Sequence, residues 1–337
     1  MSFATTFNDF VVISIIFGLG EAQVSGTLQS WLDTAYKGVD SSVDPDRKNY
    51  GYSMSKIEAL GSLVSGITFI IGGLLATIYS REFAFRFQSA TVLFTAFFVI
   101  KLLSTPRENS NPTPASQDNN VTERNDTSFL SFLKGGIEFL LSSKRAFFFL
   151  VGLSVFQVVW SIWGALLLFP FYFGYTGDDS STGMMRSAIF FVGVYIQIKL
   201  SHFTKKVEKD KLIYFILFQG VVLFVGGIML MRFIPMNNSL NLVGIGFTFL
   251  LMGIAVSLTA IFINTIIQRE MVDLVPSENR NAVYSLIPTI RSAIAIPLLP
   301  FVGALVENSG LEAGFLILLG ITFIVILFIW LAINIAD

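Results

Sequence analysis

The sequence predicts an all-α, polytopic bundle of about nine membrane-spanning helices. Three observations carry that expectation. Only 13% of the 337 residues are charged and 53% are hydrophobic, whereas a soluble domain carries about 25% charge. Apolar stretches near the ~20 residues a helix needs to cross a bilayer recur along the chain. Lys and Arg fall on alternate connections between those stretches, 17 of the 22 on one side and four on the other, with Arg291 inside a span.

The candidate spans cover roughly 10–32, 57–79, 84–103, 146–174, 184–201, 212–232, 240–266, 282–306 and 313–335. The fifth is the weakest. Its uncharged stretch between Arg186 and Lys199 is short, so it relies on those two side chains snorkelling to the interfaces. The seventh carries a polar stripe of Gly253, Ser257, Ala260, Asn264 and Gln268 at helical spacing. Such a stripe cannot comfortably face lipid and must face helices or a water-filled cavity.

The basic side comprises the connections 33–56, 101–145, 199–211 and 267–281. The opposite side holds Arg81, Arg86, Arg186 and Arg232. By the positive-inside rule, the chain is expected in the cell membrane with its N-terminus outside and its C-terminus cytoplasmic. The longest polar stretch opens with Ser104 to Asp126, rich in Asn, Ser, Thr and Pro, and too polar to bury a core. In 128–143, Phe129, Leu130, Leu133, Ile137, Leu140 and Leu141 share one helical face, with Lys134 and Glu138 opposite. That pattern reads as an amphipathic helix on the cytoplasmic membrane surface. The alternative is the ordinary start of the next span.

Composition also excludes. A net charge of -1 leaves no nucleic-acid footprint. The chain has no Cys and a single His, His202, which argues against a disulfide framework, a histidine metal centre and a Ser–His pair. Met1 to Asn8 has no basic n-region and does not read as a secretory signal. No G-x-x-x-x-G-K-S/T loop is present, so ATP-driven transport by this chain alone is not expected. No cofactor is expected, and an enzyme is the weakest reading.

Phe17-Gly18-Leu19-Gly20-Glu21-Ala22-Gln23-Val24-Ser25-Gly26 is followed by Trp31-Leu32-Asp33, a polar loop, and Ala59-Leu60-Gly61-Ser62-Leu63-Val64-Ser65-Gly66 with Gly72-Gly73. Small residues such as these let helix backbones approach closely in lipid. The succession resembles the fourth and fifth helices of major facilitator superfamily transporters. Later, Gln268-Arg269-Glu270 runs through Val275-Pro276-Ser277-Glu278-Asn279-Arg280 to Pro297, Pro300 and Gly303. This is similar to the family's connection between its tenth and eleventh helices and its P-x-x-G exit. The resemblance covers nearly the whole chain. It implies a partial N-terminal half of three spans at 1–103, a cytoplasmic linker with a surface helix at 104–145, and a C-terminal six-helix half at 146–337. Counterparts of the family's first three helices are expected to be lacking. A partner chain or upstream segment would then replace them, over the face of the eighth span that carries Tyr284, Pro288, Arg291 and Ala295. The family's basic Gly-Asp-Arg loop has no match. Its C-half counterpart at Leu200 to Lys206 keeps the charge without the Gly or Asp.

Six residues are candidates for substrate binding or coupling: Glu21, Gln157, Trp160, Asn264, Gln268 and Arg291. A carboxylate inside a span costs about 3 kcal/mol on insertion scales, so Glu21 either faces a cavity or sits near the outer water interface. Arg291 either holds an anion or carboxylate, or makes a structural contact with carbonyls. Gln157 lies in line with Ser154, Ser161 and Gly164, beside Trp160 and Trp163. Together with the amides Asn264 and Gln268, which need partners in lipid, these make a weakly polar, aromatic site. It suits an uncharged or amphipathic solute. The expected function is secondary transport of a small solute by alternating access. The alternative is a reduced, non-transporting or subunit-like membrane protein, or a fragment of a transporter.

Overall fold

The computed structural model describes residues 48–104, 129–200, 203, 207–276 and 279–335. The first expected span, with Glu21, and most of the linker lie outside the described residues. Helix α1 is Lys48–Ile78 and α2 is Arg81–Ser104. Helix α3, Phe129–Ser142, is the expected amphipathic helix. Helix α4 comprises Lys144–Ile162, a π turn at Trp163–Leu167 and Leu168–Thr176; α5 is Asp179–Leu200. Helix α6 joins Leu212–Gly220 to Gly226–Phe233 through a π turn at Val221–Val225. Helix α7 joins Leu242–Leu258 to Asn264–Leu274 through a π turn at Thr259–Ile263. Helices α8, Arg280–Ser309, and α9, Leu311–Asn334, are the last described elements.

Eight of these rods match eight of the nine expected spans. Among the described residues, six helices are long and apolar enough to cross a membrane. The differences lie at the ends. Helix α1 begins at Lys48, so Tyr50 to Ser53, read as the end of a loop, is helical. Helix α5 begins at Asp179 and is 22 residues long, so it does not depend on snorkelling for its length. Apolar runs mark the stretch in lipid, while helical hydrogen bonding continues into the polar turns beyond it.

Local signals set the breaks. Ser143 separates α3 from α4 by accepting a hydrogen bond from the Ala146 N–H at 3.2 Å. Helix α3 is therefore an element of its own and not the start of the next helix. Gly177 ends α4 with φ +76°, and a Cβ there would come 2.9 Å from the Asn238 carbonyl oxygen. The Asn238 and Asn241 N–H groups bond the Gly174 and Tyr175 carbonyls, tying the α6–α7 loop to this end of α4.

Helices α4 to α9 share a continuous interior. At one level Trp163 stands edge-on to Phe315 at 5.2 Å and to Phe224 at 6.2 Å. At the other, Phe149, Leu150, Phe156, Ile216, Ile263, Ile287 and Ile329 pack together. Lipid is as apolar as these side chains, so close packing and hydrogen bonds hold the interior. Helix α3 lies against α8. The α1–α2 pair meets the larger bundle chiefly along α5, with the last part of α7 touching α1.

Candidate functional site

The α1–α5 seam is built for backbone approach. A Cβ on Gly183 would lie 2.6 Å from the Phe69 carbonyl oxygen, and one on Gly73 would lie 2.9 Å from that of Asp179. One turn further, the Ser187 Oγ lies 2.7 Å from the Gly66 carbonyl and 2.8 Å from its own helix's Gly183 carbonyl. At the end of the seam, Arg81 donates from Nε and Nη2 to the two carboxylate oxygens of Asp179. That hydrogen bond holds the Arg81 guanidinium above its ordinary range. The neighbouring Asp178 accepts from the Ser181 hydroxyl at 2.6 Å and N–H at 2.7 Å, and the hydroxyl first, then the N–H, hold its carboxyl below the usual value.

Deeper in the seam, Arg186 does not snorkel outward as its sequence position suggests. Its guanidinium lies 3.8 Å from the centroid of the Phe69 ring on α1. Its Nε is buried without a hydrogen-bond partner. The fully buried Tyr172 of α4 stands within electrostatic reach. A cation at the middle of a span costs about 2.5–3.5 kcal/mol on insertion scales, and a cation–π contact offsets roughly 0.5–2 kcal/mol of such a cost.

A second polar feature lies inside the larger bundle. Among the described residues three helices carry one π turn each, a geometry concentrated at functional sites. Gln219, just before the second π turn, donates from Nε2 to the Thr259 Oγ1 at 2.6 Å, where the third begins. Thr259 in turn donates to the Ala255 carbonyl at 2.9 Å. Beside this pair, a cleft between α4, α6 and α9 is lined by Trp160, Trp163, Gln219, Gly220, Thr322 and apolar neighbours. Its free space holds roughly one water molecule. The indole Nε1 atoms of Trp160 and Trp163 are both buried there without a hydrogen-bond partner.

At the opposite end of the helices, Arg145 pairs with Glu270 at 3.2 Å, joining the start of α4 to the end of α7. The buried Arg280 donates from Nε to the Val275 carbonyl at 3.0 Å and closes the α7–α8 turn. Small-residue contacts between helices, rods of membrane length and this charged turn are the arrangement the sequence resemblance implies. The family model of the Major Facilitator Superfamily matches residues 1–300. The chain belongs to the major facilitator superfamily. No curated protein matches it. It is a multi-pass membrane protein of a family that carries small solutes across lipid bilayers.

Within this facilitator the predicted residues stand as follows. Glu21 lies outside the described residues. Gln157 and Trp160 share one turn of α4, both partly buried, and Trp160 lines the cleft. Ser154 Oγ lies 3.5 Å from the Ile287 carbonyl of α8. Helices α4 and α8 run the same way, so Arg291, one turn beyond Ile287, stands near the level of Gln157. Asn264 is partly buried and directly follows the third π turn; Gln268 is one turn further along α7. That π turn adds a residue between Ser257 and Asn264. The stripe read from the sequence is thus not a single face, and Thr265, 2% exposed, continues the line of Gly253 and Ser257. Sequence reasoning passed over Gln219 and misread Arg186. The Gln219 signal was present: a lone amide in an uncharged span needs a partner.

Proposed function

We propose that this facilitator moves a small amphipathic solute across the cell membrane by alternating access, the α1–α2 side rocking against the α4–α9 bundle. Supporting this reading is the seam of α1 and α2 on α5, where glycine backbones, the Ser187 hydroxyl, the exposed Arg81–Asp179 pair of α2 and α5 and a few rings around Arg186 meet. Such a contact is narrower than the side-chain interior of the larger bundle. The solute would lie between the two sides, near the membrane midplane, with Gln157, Trp160, Asn264, Gln268 and Arg291 of the bundle and Glu21 of the first span as its candidate contacts. The domain division at 1–103, 104–145 and 146–337 is part of the same reading. The basic 101–145 and 267–281 connections would be cytoplasmic.

The test is counterflow of a panel of radiolabelled solutes in proteoliposomes, with and without a locked seam. The chain has no native Cys, so Arg81→Cys with Asp179→Cys supplies the only thiols. A short bifunctional thiol reagent should stop counterflow in this variant and spare the parent chain. Undiminished counterflow with the seam fully cross-linked would overturn the rocking reading. Absence of counterflow for every solute would favour a non-transporting, subunit-like role.

A further inference from the structure

We propose that Arg186 is a recognition residue for the anionic end of an organic acid, held at the seam between α1 and α5. This rests on the transport reading above and gives its solute a chemical class. Elsewhere among the described residues, cations near the ends of the rods have found acids or carbonyls. Arg81 pairs with Asp179, Arg232 with Glu312, Arg145 with Glu270, and Arg280 with the Val275 carbonyl. Arg186 differs. Among the described residues no carboxylate lies within ion-pair distance of it, and its contact is the face of Phe69 at 3.8 Å.

The position makes that difference consequential. Arg186 is two turns along α5 from Asp179, or about 10 Å of helix. It is therefore below the ion pair that ends the seam, in the membrane-spanning part of α5. A guanidinium presents five N–H donors in a planar fork, and a ring face accepts none of them in the plane. The Nε donor is sealed and unmatched. A carboxylate is the ligand whose two oxygens fit that fork. An ionisable residue within a span is by default a candidate functional site.

The surroundings narrow the class. The Phe69 ring under the guanidinium lies 5.2 Å from that of Phe190, and buried Tyr172 stands within electrostatic reach of the charge. One cation among aromatic rings suits a monoanion with an apolar or aromatic body, and not a multiply charged phosphate. Phe69 belongs to α1 and Arg186 to α5, so an occupant would touch both sides of the seam. Its binding would then favour one arrangement of the seam over the other.

The experiment uses the full chain in detergent with benzoate as the probe and benzamide as its uncharged counterpart. Benzoate should raise the melting midpoint saturably, and benzamide should not. Arg186→Gln should weaken the benzoate response at least tenfold. Arg186→Lys should keep a weaker response, because a point charge loses the two-pronged geometry. Arg232→Gln, a cation of the α6 end, should respond like the parent. If Arg186→Gln does not fold, Arg186→Lys and Phe69→Leu decide: both should bind benzoate more weakly than the parent. A benzoate response that is absent in the parent, or unchanged in the Arg186 variants, overturns the proposal and assigns Arg186 to a structural cation–π strut. Counterflow of uncharged solutes alongside that outcome would leave the transport reading standing.

Discussion

Arg81 and Asp179 join α2 to α5 through two parallel hydrogen bonds, Nε to Oδ2 at 2.8 Å and Nη2 to Oδ1 at 2.9 Å. The geometry is two-pronged, but Arg81 is 58% exposed, so solvent and salt screen the pair. Arg81→Ala should therefore cost under about 1 kcal/mol of stability. The loss should shrink as salt rises. A charge swap, Arg81→Asp with Asp179→Arg, should recover most of it. Melting curves in detergent at low and high ionic strength check both points.

Gly183 has no room for a side chain, since its Cβ would meet backbone and not a flexible tip. Gly183→Ala should push α1 from α5 and destabilise by about 1–3 kcal/mol, as overpacking does. Gly61, where a Cβ meets nothing within 4 Å, is the control. Gly61→Ala should be neutral or slightly stabilising, because it stiffens a helical residue. Equal thermal midpoints for the two variants would remove the close-approach argument.

The Gln219–Thr259 hydrogen bond at 2.6 Å spans two π turns. A double-mutant cycle with Gln219→Leu and Thr259→Val should return a coupling of about 0.6 kcal/mol, the average for interhelical bonds in membranes, with 1.7 as a ceiling. Zero coupling would mean that the two side chains find equivalent partners elsewhere.

Asp178 gives a pH signature. Its carboxyl is held below its ordinary value of 3.8 by Ser181. A depressed acid contributes stability above its unfolded pKa and loses it as pH falls through the folded one. The parent should thus lose a small increment of melting temperature below about pH 4 that Asp178→Asn lacks. Ser181→Ala should flatten the same limb of the curve. Parallel curves for parent and variants would show that Ser181 does not tune the acid.

Orientation is checked with single thiols. Glu138→Cys on α3 should resist an impermeant reagent applied to intact cells, and Glu307→Cys near the end of α8 should react. The reverse pattern inverts the proposed topology.

Much of the fold could be read directly from residue order. Apolar length located eight rods, and the two-faced pattern of 128–143 located α3 within one residue at each end. The π turns could not be read, because Trp163–Leu167, Val221–Val225 and Thr259–Ile263 share no residue pattern that marks them. Arg186 was misread for a related reason. Charge near a span end suggests an interface, and only the fold reveals that Phe69 of another helix stands beside it. Gln157, Trp160 and Asn264 were chosen by type and spacing, yet spacing assumes an uninterrupted α-helix.

The Gly73–Gly183 crossing has an energetic consequence. Because backbone touches backbone there, parting the helices at Gly73 and Gly183 uncovers Cα hydrogens; one turn on it breaks the Ser187–Gly66 hydrogen bond and lifts the Phe191 ring from Gly66. In a bilayer no hydrophobic force opposes that separation, and an interhelical hydrogen bond averages about 0.6 kcal/mol. The closed and parted arrangements at this crossing therefore differ by little. A ligand that prefers one of them by about 1.4 kcal/mol shifts their ratio tenfold.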